Sequence, residues 1–400
     1  MTELRLLADD GTTSVVELAE APGHARPDGP LRSRMAYAAA HVVPKASGDN
    51  TPGQPAEVDW DATLAFRRHA YSWGLGVADA MDTAQRNMGL DAAATRELIS
   101  RSAEVAREEG GSVVVGVNTD HVEDEQISVD AVIDAYKTQL HFTEDQGAGP
   151  VIMASRHLAR AARSADDYRR VYREVLGAAE TPVVLHWLGT AFDPALAGYF
   201  GSEDWRAASD VLLEIIEENP DRVAGVKMSL LDAASEVAVR DRLPDGVRMF
   251  TGDDFNYVGL IGGADVPAAA QPVSEATAPR RHSDALLGAF AALTTVASAA
   301  IQALDADDPD RYLEILGPTE ELSRQIFAAP TFYYKSGVAF MSWLNGHQPA
   351  FQMVGGLHSA RSLPHLSRIV ELANAARALE QPDIAAQRWH AMLDLNGAHA

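Results

Sequence analysis

Short apolar runs alternate with amphipathic stretches from residue 35 to the region near 290, and this alternation restricts the fold more than any other feature of the chain. Apolar runs lie at 77–81, 113–117, 151–153, 183–185, 223–226 and 247–250. Helical periodicity fills 59–75, 92–109, 128–145, 164–179 and 205–218, with N-cap candidates such as Ser164 and Asp204. Strand, helix, strand at intervals of roughly 30–40 residues predicts βαβ units and a parallel sheet. The runs are continuous rather than alternating, as strands buried on both faces require. A first run at 35–43 and a less defined one near Leu286 bring the count to about eight, the number a closed (β/α)8 TIM barrel needs. A doubly wound open sheet is the alternative. It is weakened because no Gly-x-Gly-x-x-Gly follows the first strand.

The flanks differ in pattern. Residues 3–18 hold two β-prone runs around Asp9-Asp10-Gly11, the signature of a hairpin, and 21–33 is a Pro- and Gly-rich linker. Residues 262–281, rich in Ala and Pro, read as a loop or insertion, and the chain beyond 283 reads as all-helical. The organisation expected is an N-terminal hairpin and linker (1–33), a barrel (34–290) and a C-terminal helical region (291–400). With 400 residues, 46% of them hydrophobic, a large core is within reach. The 57 acidic side chains outnumber the 33 basic ones, for a formal charge of -24. Such a surface repels phosphate backbones and anionic lipid, which argues against nucleic acid and membrane as partners. The absence of cysteine excludes disulfides, thiolate metal sites and cysteine nucleophiles. Without a signal-like start or an apolar stretch of ~18 residues, the chain is expected to be cytoplasmic.

Barrel active sites form where the strands end at the C-terminal face. The polar residues that follow the runs are therefore the candidates: Asp82, Thr83 and Gln85; Asn118, Thr119, Asp120 and His121; Ser155, Arg156 and His157; His186; Lys227; Thr251, Gly252, Asp253 and Asp254. Lys227 closes an apolar run with no carboxylate beside it in sequence. A lysine amine attacks a carbonyl only when neutral, and burial favours that form. The other reading is a lysine snorkelling at a strand end or paired with Asp253. His186 is either a proton shuttle or a satisfied core histidine. Asp253 and Asp254 bind substrate hydroxyls, orient Lys227, or cap a short helix. Asp120 and His121 are a metal pair, a hydroxyl-binding pair or a loop cap.

Several of these segments are similar to a known family. Thr181-Pro-Val-Val-Leu-His-Trp-Leu-Gly, followed by Val223-Ala-Gly-Val-Lys-Met-Ser, resembles the fifth and sixth strands of the dihydrodipicolinate synthase/N-acetylneuraminate lyase superfamily. Gly147-Ala-Gly-Pro-Val-Ile-Met resembles its fourth strand, 113–118 its third and Phe250-Thr-Gly-Asp-Asp its seventh. The tail matches through residues 307–312 and Tyr334-Lys-Ser-Gly, so the likeness covers about residues 35–375. It is closest to a branch known only as dihydrodipicolinate-synthase-like. The resemblance implies a class I aldolase barrel, Lys227 as the Schiff-base lysine, and a homodimer or homotetramer.

The departures bear on the substrate. His186 stands where the family places a tyrosine. Asp82-Thr83-Ala84-Gln85 replaces the Thr-Thr-Gly-Glu loop that binds an oxo-acid carboxylate, and no arginine follows shortly after the fifth strand. Pyruvate is thereby put in question, and the acid, His and Gln groups suit a polyhydroxylated, sugar-like ligand. The expectation is a Schiff-base lyase, aldolase or dehydratase, acting on a small oxo acid or oxo-sugar. Lys227 and His186 would be catalytic. Asp82, Thr83, Gln85, Asn118, Asp120, His121, Gly252, Asp253 and Asp254 would bind substrate, with no cofactor and no metal. Two alternatives stand. One is a metal-dependent barrel hydrolase or isomerase using His121, His186, Asp120 or Asp254. The other is a non-catalytic sugar-binding protein on the same scaffold. Phe332, Tyr333, Tyr334, Phe340 and Trp343 are expected as an exposed apolar cluster, packed on the barrel or shared with a second subunit.

Overall fold

In the structure, a computed structural model that describes residues 3–277 and 279–398, the apolar runs become strands of one closed parallel barrel. Residues 1, 2, 399 and 400, at the outer ends of the expected hairpin unit and helical region, lie outside the described residues, as does residue 278 in the expected 262–281 insertion. β1 (Glu3–Leu7) and β2 (Thr13–Glu17) form the expected antiparallel hairpin. β3 (Ala36–Ala39), β4 (Gly76–Asp79), β5 (Val113–Val117), β6 (Gly149–Met153), β7 (Val183–Leu188), β8 (Val223–Ser229), β9 (Arg248–Thr251) and β10 (Asp284–Leu287) follow. They close in the order β10-β3-β4-β5-β6-β7-β8-β9, a (β/α)8 TIM barrel.

The crossovers and flanks are helical. α1 (Trp60–Ser72), α2 (Ala92–Glu109), α3 (Val129–Asp145), α4 (Arg156–Ala161), α5 (Ala165–Ala178), α6 (Trp205–Glu217), α7 (Ala233–Arg240) and α8 (Tyr257–Gly262) surround the first seven barrel strands. α9 (Ala289–Ala292) and α10 (Thr294–Asp305) follow the eighth. α11 (Pro309–Leu316), α12 (Thr319–Ile326), α13 (Tyr334–Leu344), α14 (Leu363–Ala375) and α15 (Pro382–Leu395) form the tail. Asp59, Asp91, Ser128 and Asp204 each accept a backbone N–H of the first turn, so these helices start where the cap residues dictate, whereas Ser164 stands at the start of α5 without a side-chain capping bond. No helix among the described residues is long and apolar enough to cross a membrane.

Strand register decides which side chains face the barrel axis. The inner core contains Tyr37, Ala78, Val114, Val151, Met153, Val184, Phe250 and Leu286. Met153 pairs with His186, His186 with Lys227, and Lys227 with Phe250. Residues level with one another across neighbouring strands share a face, so His186 and Lys227 point inward with Met153 and Phe250. Both sit inside their strands. The sequence pattern had them following shorter runs, because a polar residue at the barrel mouth interrupts apolarity without ending the hydrogen-bond ladder.

Of the five aromatic residues expected as an exposed cluster, Tyr334 and Phe340 are buried within the chain and Phe332, Tyr333 and Trp343 are half-buried, so the cluster is largely packed against the chain itself. Tyr334 stacks on Phe327 at 4.3 Å between ring centroids, and Phe340 meets Trp389 edge-on at 5.9 Å. The hairpin is docked on the tail: Trp389 Nε1 donates to the Arg5 carbonyl at 2.7 Å and Leu7 N to Ser367 Oγ at 2.7 Å.

Outside the barrel wall, Arg67 of α1 grips Asp79 of β4 with two hydrogen bonds of 2.9 and 2.8 Å, and neither side chain is exposed. The arginine also donates to the His41 and Thr63 carbonyls, and the carboxylate accepts the Ala80 N–H and the Ser102 hydroxyl, so the pair is saturated. Removing one partner leaves an uncompensated buried charge. Asp79→Asn is therefore expected to cost about 3–5 kcal/mol of stability. Denaturant unfolding of the variant beside the parent protein measures this, and a loss within error of zero would show the pair to be dispensable.

Candidate active site

Of the four lysines in the chain (45, 137, 227 and 335), two are buried, and both lie at the C-terminal mouth of the barrel. Lys227 is 7% exposed and Lys335 is 0% exposed. Lys335, in the first turn of α13, donates to Asp82 Oδ2 at 2.7 Å and to the Phe332 carbonyl at 2.9 Å. Lys227 differs: among the described residues its Nζ has no hydrogen-bond or ion-pair partner. Burial lowers the pKa of its amine, while the carboxylates of Asp254 and Asp82 work in the opposite direction. Asp254 responds in kind. Burial raises its pKa, opposed by the Ala289 N–H that its Oδ1 accepts at 2.8 Å and by the charge of Lys227. Lys227 and Asp254 thus form a buried acid–base pair in which each partner is pushed toward its neutral form.

His186 lies beside this pair. Its Nε2 is 3.2 Å from Ser229 Oγ, and its Nδ1 is buried without a partner. Burial first and the Lys227 charge second drive its pKa well below the usual imidazole range, so the ring is neutral at neutral pH. Gly252 supplies room for both neighbours. A Cβ there would stand 2.2 Å from Ser229 Oγ, 2.9 Å from the Met228 carbonyl oxygen and 3.0 Å from Lys227 Cε.

An aromatic layer from the tail covers the mouth. Tyr334 OH bonds Thr83 Oγ1 at 2.7 Å beyond the end of β4. The same ring meets Phe192, in the loop after β7, edge-on at 5.7 Å. A Cβ on Gly288, after β10, would lie 3.0 Å from both Tyr334 and Phe327. One side chain therefore reaches across the ends of three separate strands. Arg156, at the start of α4, pairs with Asp193 at 2.6 Å on the same face.

The candidates from sequence fall into two sets. Lys227, His186, Asp254, Gly252, Asp82 and Thr83 are brought together with Ser229, Tyr334 and Lys335. The others take structural contacts. Asp253 caps the following turn, accepting from Phe255 N at 2.9 Å, Asn256 N at 3.1 Å and Asn256 Nδ2 at 2.8 Å. Gln85 Nε2 holds the Val354 carbonyl at 2.8 Å. Asn118 is buried, with its side-chain oxygen on Thr119 N at 2.7 Å. Asp120 is paired with Arg86, and His121 Nδ1 lies 2.9 Å from Gln139 Nε2. Asp120 and His121 line a cavity of about 60 Å³ between α2 and α3 with Arg96 and Phe142. That cavity is lined by neither His186 nor Asp254, so the structure does not bring these four residues to one site, as a metal centre built from them would require.

Ser229, Tyr334 and Lys335 were missing from the sequence-derived site. Lys335 did leave a signal, since it is the single charge within the eleven-residue helix Tyr334–Leu344. Its target Asp82 lies more than 250 positions earlier, a separation that no local pattern encodes.

Solved structures share this architecture. Dihydrodipicolinate synthase from Bacteroides thetaiotaomicron matches with TM-score 0.60 at 14% identity, over 84% of this chain and 98% of that one. The Bacillus anthracis enzyme gives 0.59 at 12% identity, over 86% and 98%. The Oceanobacillus iheyensis enzyme gives 0.56 at 14% identity, over 86% and 96%. At such identity the likeness shows the fold. A search of curated proteins finds no match. A family profile described as "Protein of unknown function (DUF993)" matches residues 4–398.

The close fit around Gly252 is open to test. Gly252→Ala is expected to lose about 1–3 kcal/mol, the usual scale for overpacking. Thermal unfolding reads this, and an unchanged midpoint would mean that Lys227 and Ser229 move aside freely.

Proposed function

The chain belongs to this family of proteins of unknown function, and we propose that it acts as a Schiff-base-forming lyase on a small oxo acid or oxo-sugar, with Lys227 as the nucleophilic amine. The observation that carries this reading is the state of Lys227: buried, uncommitted to any hydrogen bond among the described residues, and lowered in pKa. Lys335, by contrast, commits two of its donors, to Asp82 and to the Phe332 carbonyl.

In the proposed chemistry, neutral Lys227 adds to the substrate carbonyl carbon. Loss of water from the carbinolamine leaves an iminium, which accepts the electron pair released when a neighbouring C–C bond breaks or an adjacent proton departs. Asp254, already drawn toward its protonated form, gives a proton to the leaving hydroxyl and takes one back. His186 enters neutral, and its unpartnered Nδ1 is free to hold a proton or a hydroxyl of the substrate. The fully buried Lys335 uses two of its three N–H groups on Asp82 and Phe332. The third suits a carboxylate or hydroxyl oxygen, which supports an oxo acid or polyhydroxylated ligand. A homodimer or homotetramer is part of the same proposal, and light scattering that gives a monomer would remove that part alone.

Borohydride reduction with a panel of 2-oxo acids and oxo-sugars tests the nucleophile. A stable mass increase should map to the peptide carrying Lys227 and not to that carrying Lys335. Lys227→Ala should lose adduct and turnover together. Lys227→Arg should fail as well, because a guanidinium stays protonated. Adduct formation by a folded Lys227→Ala variant would refute the mechanism.

The acid–base pair predicts a pH profile. The amine must be neutral, so trapping should accelerate as pH rises through about 8, the value to which the Lys227 pKa is lowered. Asp254 acts to raise that value. Asp254→Asn should therefore move the midpoint to lower pH, and an upward move would contradict the assignment. For His186, the Ala variant should still form some adduct but turn over at least ~100-fold more slowly, the usual scale for losing an acid–base group. Normal turnover in single-turnover kinetics would reduce His186 to packing.

A further inference from the structure

A second cluster of ligating side chains lies outside the barrel, where the tail meets the first crossover helix. His69 is in the last turn of α1, His347 follows the end of α13, and Glu380 lies in the link between α14 and α15. His347 Nε2 stands 3.0 Å from Glu380 Oε1, and His69 Nε2 stands 3.7 Å from the same oxygen. The two imidazole rings are tilted at 47° to each other with centroids 4.2 Å apart. One donor atom from each of the three residues falls within 4.8 Å of the others.

Three features distinguish this cluster from a surface ion pair. The side chains are only 15%, 17% and 20% exposed for His69, His347 and Glu380. His69 Nε2 is buried and has no hydrogen-bond partner, which leaves its lone pair or proton uncommitted beside Glu380. The rings are also held in place. Phe66 packs on His69 at 6.0 Å and on His347 at 5.8 Å, and Trp73 approaches His69 at 6.4 Å. The backbone is fixed too, with His347 N on the Ser342 carbonyl at 2.9 Å and Glu380 N on Asn345 Oδ1 at 3.0 Å.

We propose that His69, His347 and Glu380 bind a divalent first-row transition-metal ion, zinc being the reference case, with water completing the shell. Metal–nitrogen and metal–oxygen bonds near ~2.0–2.1 Å at tetrahedral angles set neighbouring donors about 3.3 Å apart. The observed 3.0 and 3.7 Å separations bracket that spacing, and the third, between the two imidazoles, lies within 4.8 Å, so an ion fits once the rings close on it. Two imidazoles and one carboxylate suit zinc and its neighbours, whereas magnesium and calcium prefer sets of oxygens. The ligands come from the barrel's first helix and from two tail segments, so the ion would staple tail to barrel. Its place in the molecule is structural, at the far end of the helix whose first turn carries Tyr334 and Lys335.

The test uses the full chain stripped with a chelator. Calorimetric titration with zinc should give one saturable site per chain, and cobalt should give the intense visible absorption of a tetrahedral ion. Zinc at a hundredfold excess over its Kd should raise the thermal midpoint by about 3 °C, as ligand linkage predicts for a chain of this size. His69→Gln and Glu380→Gln, which keep volume and polarity, should each weaken binding at least ~10-fold. No saturable binding, or equal binding by both variants, overturns the proposal. Because Lys227 takes no part, the outcome is independent of the Schiff-base reading.

Discussion

A barrel interior offers little water to an ionised side chain, so a charge placed there must be met by another charge or given up as a proton. This protein places two lysines and two aspartates in that position and resolves them differently. Lys335 and Asp82 meet directly in an ion pair, with a backbone carbonyl taking a second donor. Lys227 and Asp254 influence each other without a hydrogen bond, and each shifts toward neutrality. A direct pair holds structure. An incomplete one leaves the Lys227 amine without a hydrogen-bond partner among the described residues and with its pKa lowered to about 8, so that it loses its proton more readily than an ordinary lysine.

The scaffold creates this asymmetry through local geometry. The register of β7, β8 and β9 sets His186, Lys227 and Phe250 level with one another on the inner face. Gly252 leaves the volume that Lys227 Cε and Ser229 Oγ occupy. Two other buried charges are well satisfied: Arg67 with Asp79 behind the barrel wall, and Arg86 on Asp120 and on the Ala80 and Gly116 carbonyls. These pairs pin strand ends and helices. The Lys227 amine and His186 Nδ1, both without a hydrogen-bond partner among the described residues, lie together at the barrel mouth.

The tail contributes to the site and does not merely follow the barrel. α13 carries Tyr334 and Lys335 at its first turn and leads at its other end to His347. Eleven residues at 1.5 Å per residue make this helix about 16 Å long. It therefore links the barrel mouth to the histidine and glutamate cluster on the outer side of α1. The hairpin docks on α14 and α15 in turn, through Leu7 on Ser367 and Trp389 on Arg5. Packing that fixes the tail also fixes the roof over Lys227.

The sequence by itself determined the barrel, the hairpin and the helix starts, because each follows from short-range pattern. Continuous apolar runs specify strands buried on both faces, and Asp59, Asp91, Ser128 and Asp204 cap the helices they precede. It also singled out Lys227, since a lysine in an apolar strand is conspicuous in one dimension. Tertiary structure alone decided which of the neighbouring polar residues face inward. Asp254 turns toward Lys227 while Asp253 caps a turn, and Asp120 pairs with Arg86 outside the wall. Adjacent residues past a strand end point in different directions according to loop conformation, which residue type does not specify. Lys335 and Tyr334 reach the site from a helix more than 250 positions beyond Asp82 and Thr83. That convergence depends on how the tail folds back across the barrel, a long-range packing decision that local periodicity does not carry.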